Sequence, residues 1–356
     1  MISYKGKNKA TVNYLKAMYF DYPEWIPYGI SIMPRTWIRY REDLEELVLS
    51  HPRSFPGYKK GDRDFDCVDD PFYEEGEKTD CWGTVWNNVE RGLDSYPVKY
   101  PLEDWEDFKT YAPPNALEDD ILGPRDWDGV KGQMKEARQK GDISGCSPLP
   151  HGFMYMRLYY LHGFENLMMD MAMDNPRLWA LIKMVETYNW QAVEKCIEMG
   201  AEMLYFGDDL GLQNALPISP DMWRKYLKPS FDRIYKPCRD NDIPIYMHTD
   251  GHILEIIPDL IDVGVTVLNP QFRANGLEGL KEVAVGKVAL NQDLDRQLFP
   301  FATPSQIEDH IHETYEALNL PQGGLMFYVE FEPDVPLETM DVICTVLEEV
   351  CNPPLF

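Results

Sequence analysis

From Asp142 onward, short apolar runs alternate with stretches whose apolar positions recur at helical spacing, the pattern of repeated βα units on a parallel sheet. The runs Ile143–Cys146, Met203–Gly207, Ile243–His248, Val265–Asn269, Val288–Asn291 and Leu325–Glu330 read as strands. Each follows a helix-like stretch, often after a Gly or Pro that would end it. Ahead of the second run, TYNWQAVEKCIEMGAEML reads as helix, then Gly200 at the C-cap position, then strand. An earlier candidate, Ile26–Ser31, feeds RTWIRYREDLEELVLSHP, which is helical by spacing. Roughly seven or eight such strands favour an α/β fold of the closed (β/α)8 TIM-barrel type over an open doubly wound sheet.

Residues 54–115 break this rhythm, being rich in Asp, Glu, Gly, Trp and Tyr with little period. They read as an aromatic-rich insertion or lid over one barrel end, in which DCWGTVWNNVERGLDSYPVKYPL has the alternation of a hairpin. Trp82 and Trp86 either shape a pocket or simply anchor this loop. With no internal repeat, low-complexity tract or convincing linker, residues 1–356 read as a single domain.

Charge narrows the class of partner. Against 60 acidic residues stand 34 basic ones, a formal charge of −26, the opposite of the footprint expected for binding nucleic acid or an anionic membrane. Most of these carboxylates form a solvated face, but they leave room for a basic partner or a metal cation. No run approaches the about 18 apolar residues of a membrane span, and MISYKGKNKATVNYLKAMYF lacks the apolar core of a signal peptide, so a cytoplasmic location is expected. The seven cysteines (Cys67, Cys81, Cys146, Cys196, Cys238, Cys344 and Cys351) are scattered without a C-x-x-C pair and read as reduced thiols.

In a parallel barrel the site lies at the C-terminal ends of the strands. There the sequence places Asp208 and Asp209, His248 with Asp250, Asn269 with Gln271, Asn291, and Glu330. A set of imidazole and carboxylate groups suits a divalent cation, which offsets the cost of crowding like charges. His248 is the central candidate; the alternative is a core histidine bonded to a backbone carbonyl. Asp208 and Asp209 are catalytic candidates, or loop caps. Glu330, after the apolar run LMFYV, needs a partner or a metal. His252 reads as a surface or helix-start residue, His162 as structural, and His310 and His312 as an exposed helix face. The Met-rich stretch Met154 to Met173 reads as core. No G-x-G-x-x-G, P-loop or G-x-S-x-G is present, which argues against nucleotide and serine-hydrolase chemistry.

The run GDDLGLQNALPISPDMWRKYLKPSFDRIYKPCRDNDIPIYMHTDGHILEIIPDLIDVGVTVLNPQ resembles the central signature of the uroporphyrinogen decarboxylase superfamily. That signature has an Asp-rich strand end, a helix leading to Lys-Pro, and a His-x-(Cys/Asp)-Gly strand end, in this order. GFMYMRLYYLHGFENLMMDMA, VALNQDLDRQLFPFATPSQIEDHI and EFEPDVPLETMDVI resemble the flanking blocks, so the similarity runs from about Trp82 to the C-terminus. The resemblance implies a (β/α)8 barrel and one of two activities: tetrapyrrole decarboxylation, or zinc-dependent methyl transfer to or from a corrinoid protein. The decarboxylases carry a Met-Arg-Gln-Ala-Gly-Arg-Tyr segment whose arginines hold substrate carboxylates. Here Arg35 and Arg39 keep the separation, but Gln-Ala-Gly is absent between them. In thiol-methylating relatives a His-x-Cys pair and a later Cys hold zinc; in this chain those positions resemble His248, Asp250 and Glu330. With oxygen in place of thiolate, the metal would be a stronger Lewis acid, suited to an ether or alcohol oxygen.

The expectation is therefore an O-demethylating methyltransferase acting on a small methoxylated, aromatic compound. By resemblance, His248 and Glu330 hold zinc with Asp250 or Asp208 as third ligand. Trp82, Trp86 and Tyr155 would enclose the ring, and Asn269, Gln271 and Asn291 would contact substrate. The chain has no corrinoid-binding D-x-H-x-x-G segment, so the cobalamin is expected on a separate corrinoid protein. A tetrapyrrole decarboxylase and a metal-free ligand-binding relative are the alternatives, and a homodimer is plausible by family resemblance.

Overall fold

The computed structural model describes residues 1–68, 70–352 and 354–355. Parallel strands alternate with helices. The sheet consists of β1 (Tyr28–Ile32), β2 (Gly145–Cys146), β3 (Met203–Gly207), β4 (Ile245–Thr249), β5 (Val267–Pro270), β6 (Ala289–Asp293) and β7 (Leu325–Phe331). Their order along it is β1-β7-β6-β5-β4-β3-β2. Neighbours are thus successive in the chain, and the first strand lies beside the last, which is the strand order of a (β/α)8 fold. Seven strands, not eight, are found among the described residues, with β1 and β2 at the two edges. Between β1 and β2, where another βα unit would belong, the chain instead forms a three-stranded sheet of Gly76–Thr79, Val85–Asn88 and Tyr96–Lys99, the last two antiparallel. Among them Trp86 pairs with Pro97 and Asn87 with Tyr96, the hairpin that the alternation predicts.

The chain divides into two compact units. The first comprises Met1–Val12, Glu77–Asn87 and Tyr96–Leu268, and the second Asn13–Gly76, Asn88–Ser95 and Asn269–Phe356. Segments of residues 54–115 fall in both units.

In the first unit, helix Leu178–Glu198 buries Leu181, Ile182, Val185, Ala192 and Val193 and stops at Gly200, whose φ of 85° is the left-handed geometry that ends a helix. The stretch 154–173 is not one core helix: Gly163 (φ 85°) splits it into Tyr155–His162 and Phe164–Ala172, and Met169 and Met173 are exposed. Asp80 fixes the tryptophans. Its buried carboxylate accepts from the Trp82 and Thr84 amides, Trp86 Nε1 (3.0 Å) and Arg157 Nη1 (2.7 Å). Cys146 and Cys196, 50 residues apart, form a disulfide, which corrects the reading of all seven cysteines as reduced. No spacing motif announces that pairing; β2 and helix Leu178–Glu198 create it. His162, buried, bonds the Leu102 carbonyl and Asp170, a structural role.

In the second unit, helix Pro304–Leu318 starts at a capping box formed by Thr303 and Gln306. His310 is buried in it, so the expectation of an exposed face holds for His312 only. The His310 imidazole accepts the Asp295 amide proton at 3.0 Å, which satisfies a buried backbone donor. Among the described residues no helix is long and apolar enough to cross a membrane.

Candidate metal centre

The site of the first unit is built on the ends of β3 and β4, which lie in register with Tyr205 beside Tyr246 and Gly207 beside His248. Side chains alternate along a strand. In β4 this buries Ile245, Met247 and Thr249 and turns Tyr246 and His248 to the other face. Beyond the strands, backbone bonds lace the two chain ends together. The amide of Asp208 donates to the His248 carbonyl, Gly211 to Asp250, and His252 to Leu212. The Asp250 amide donates to Asp209 Oδ1 at 3.1 Å, which orients that carboxylate. A third segment enters from the loop after β2, where the Gly152 amide bonds the Gly207 carbonyl and brings His151 over β3.

His151 Nε2 lies 3.1 Å from Asp209 Oδ2. His248 Nε2 lies 4.0 Å from Asp209 Oδ1 and 3.4 Å from Asp250 Oδ1. The two imidazoles are 5.5 Å apart, so one carboxylate faces both rings, an oxygen to each. Burial acts to lower the His151 pKa, but the hydrogen bond and charge of Asp209 outweigh it and raise it to about 9. Burial likewise acts to raise Asp209, and its bond to His151 prevails and lowers it. Both shifts favour a cationic imidazole beside an anionic carboxylate.

One donor atom from each of His151, Asp209 and His248 lies within 4.8 Å of the others. Two imidazole nitrogens and a carboxylate oxygen with a fourth position open is the donor set of catalytic zinc, and bonds of about 2.0–2.2 Å put such donors roughly 3.4 Å apart. The residues therefore fit a divalent metal after small side-chain rotations. Half of the His151 side chain is solvent-exposed, so the site is open on that side.

His248 and Asp209 stand at the centre, and Asp250 beside them. Asp208 does not face them. Fully buried, it accepts the amide protons of Met154 and Tyr155 on Oδ2 (3.2 and 2.6 Å) and of Met156 on Oδ1 (3.0 Å). It thereby caps helix Tyr155–His162, whose own N-cap residue offers no side-chain bond. Trp82 packs edge-on against Tyr188, and Trp86 begins an aromatic row through Tyr160 and Tyr159 to Tyr155. The buried Tyr155 hydroxyl has no partner among the described residues.

In the second unit Asn269 Nδ2 donates to the Asn291 carbonyl at 2.5 Å, and Gln271 forms a parallel bridge to Asp293. Glu330 is ion-paired with Arg296 at 2.8 Å, and the same guanidinium reaches Asp293. The residue that sequence reasoning missed is His151. Its signal was its place, just after a predicted strand ending at Cys146.

Residues 153–350 match the family described as uroporphyrinogen decarboxylase (URO-D). This chain belongs to that family. Among solved structures it is similar to a methyltransferase from Methanosarcina mazei, with a TM-score of 0.64 and 16% identity over 96% of this chain and 98% of that one. A B12-independent methionine synthase from Shewanella sp. W3-18-1 is matched with a TM-score of 0.43 and 12% identity, over 65% of this chain and 69% of that one. No curated protein matches the chain.

Proposed function

We propose that the protein is a zinc-dependent methyltransferase that takes a methyl group from a small methoxylated aromatic compound and delivers it to a corrinoid carried by a separate protein. The observation that carries this reading is the convergence of His151, Asp209 and His248 in a URO-D family chain. The likeness in fold to the Methanosarcina mazei methyltransferase over nearly its whole length supports it. A zinc ion held by these residues would supply Lewis acidity toward an ether oxygen.

The chain's own residues do the rest. His151 and His248 present nitrogen from two sides, and Asp209, oriented by the Asp250 amide, serves both. Tyr155 is assigned to the substrate side because its buried hydroxyl, without a partner among the described residues, is a polar atom that an ether or phenol oxygen can satisfy. Trp86, through Tyr160 and Tyr159, backs that residue. In the overall reaction the carbon–oxygen bond breaks with its electron pair left on oxygen, and the reduced corrinoid provides the pair for the new bond to carbon. Tetrapyrrole decarboxylation is less well supported, because Arg35 is ion-paired with Glu90 and Arg39 donates to the Pro333 carbonyl.

Elemental analysis of protein purified without chelator, beside His151→Ala and His248→Ala, tests the metal. About one zinc per chain, lost in both variants, is expected. The zinc-loaded protein should then demethylate a methoxylated aromatic in the presence of a Co(I) corrinoid partner. No metal in the wild type would sink the reading, and coproporphyrinogen formation would replace it with decarboxylation.

A further inference from the structure

The space that His151 occupies exists because residue 207 has no side chain. A Cβ on Gly207 would lie 2.5 Å from His151 Nδ1 and 3.3 Å from its Cε1, well inside the about 3.5–4.0 Å of ordinary heavy-atom contact. Gly207 is the register partner of His248. A side chain there would fill the place from which the His151 ring faces Asp209 next to His248. The backbone itself makes no such demand, since Gly207 is not among the glycines with positive φ. Nearby Gly251 differs: its φ is 84°, and a Cβ there would meet the Gly211 backbone at 2.2 Å. At 207 the three nearest atoms all belong to the His151 imidazole.

We infer that Gly207 is a positioning residue: its missing side chain is the slot that seats His151 against Asp209 and beside His248, making the centre a three-ligand site. The use of the slot for metal rests on the function proposed above; the seating of His151 does not. Because the ring is half exposed at the end of a flexible side chain, an added methyl group displaces the ring into solvent rather than the strand from the sheet. Folding is spared and the site is lost.

The test compares wild type, Gly207→Ala, His151→Ala and, as control, Gly29→Ala in β1, where an added Cβ meets nothing within 4 Å. Nitrogen-15 imidazole NMR of the metal-free proteins reads the seating directly. The Asp209-bonded His151 N–H signal should be present in wild type and Gly29→Ala and absent in Gly207→Ala. Zinc titration reads the consequence: Gly207→Ala and His151→Ala should each weaken binding by about tenfold or more, and the double variant no further than the worse single one. Thermal midpoints should stay together. Retention of the His151–Asp209 signal in Gly207→Ala, or wild-type zinc binding by Gly207→Ala while His151→Ala loses it, would overturn the inference. Failure of Gly207→Ala to fold would overturn it as well, by showing that the strand yields before the ring. Should wild type take no zinc, the metal reading fails and the NMR signal alone decides the slot.

Discussion

Asp208→Asn separates the two roles open to a carboxylate just beyond β3. Asparagine keeps the shape, but only one of its two terminal atoms accepts. With three backbone donors arriving on two oxygens, from Met154 and Tyr155 on one and Met156 on the other, at least one buried N–H is stranded, at about 1–3 kcal/mol each. Against this works the cost of burying a charge. Burial raises the Asp208 pKa to about 7, over the opposing pull of the Met156 and Tyr155 amides, whereas in the unfolded chain it titrates near about 3.9. Between those values the folded protein holds a proton that the unfolded chain has released. Wild type therefore loses stability as pH rises through this window, by up to about 1.4 kcal/mol per pH unit, and the Asn variant has no such loss. The deficit of Asp208→Asn should be largest at about pH 4 and below and shrink by roughly 3 kcal/mol toward about pH 7. Urea unfolding of both proteins in chelator at fixed ionic strength measures it. A deficit independent of pH would refute the dominance of burial, and a deficit near zero throughout would refute the capping role.

Two further outcomes test the packing around the site elements. Burial lowers the His310 pKa to about 4, although the charge of Asp295 pulls the other way. Stability present above about pH 6.5 should then be lost as pH falls toward about 4, by up to roughly 3 kcal/mol, and His310→Gln should remove that pH dependence; parallel profiles for the two proteins would count against it. Arg157→Ala leaves the fully buried Asp80 carboxylate without its cation and should cost about 3–5 kcal/mol in equilibrium unfolding. A loss below about 1 kcal/mol would mean that water reaches Asp80 and that the tryptophan loop is not anchored as described.

How much of this was legible in the sequence depended on how local each cause is. Strand and helix positions follow from apolar spacing, so β3 matches its predicted bounds and β1, β4, β5 and β6 shift by one or two residues. His248 was visible because it closes the predicted strand Ile243–His248, whose apolar run is long enough to read. His151 was not, because β2 contains only Gly145 and Cys146 and the loop after it has no period. Pairings across distance left no trace either: Asp208 meets amides more than 50 residues earlier, and Glu330 meets Arg296 across 34. Glu330 was expected to need a partner or a metal, and Asp208 and Asp209 to be catalytic residues or loop caps, but only the fold shows whether each meets a backbone amide, a guanidinium or an imidazole.

The adjacent pair Asp208 and Asp209 shows why residue type alone could not assign roles. Past the end of β3 burial still alternates, with Gly207 and Asp209 half-buried and Asp208 buried, so Gly207 and Asp209 fall on one side and Asp208 on the other. On the first side Gly207 clears the room that His151 fills, and Asp209 meets both imidazoles. On the other, Asp208 meets three backbone amides at a helix start. Three consecutive residues thus make the room, hold a helix and offer a ligand, and the alternation keeps these tasks from competing. The arrangement also ties the helix to the site: the segment whose first-turn amides Asp208 fixes carries Tyr155, the residue we assign to substrate, so a change at 208 that moves the helix moves Tyr155 relative to Asp209 without touching a ligand.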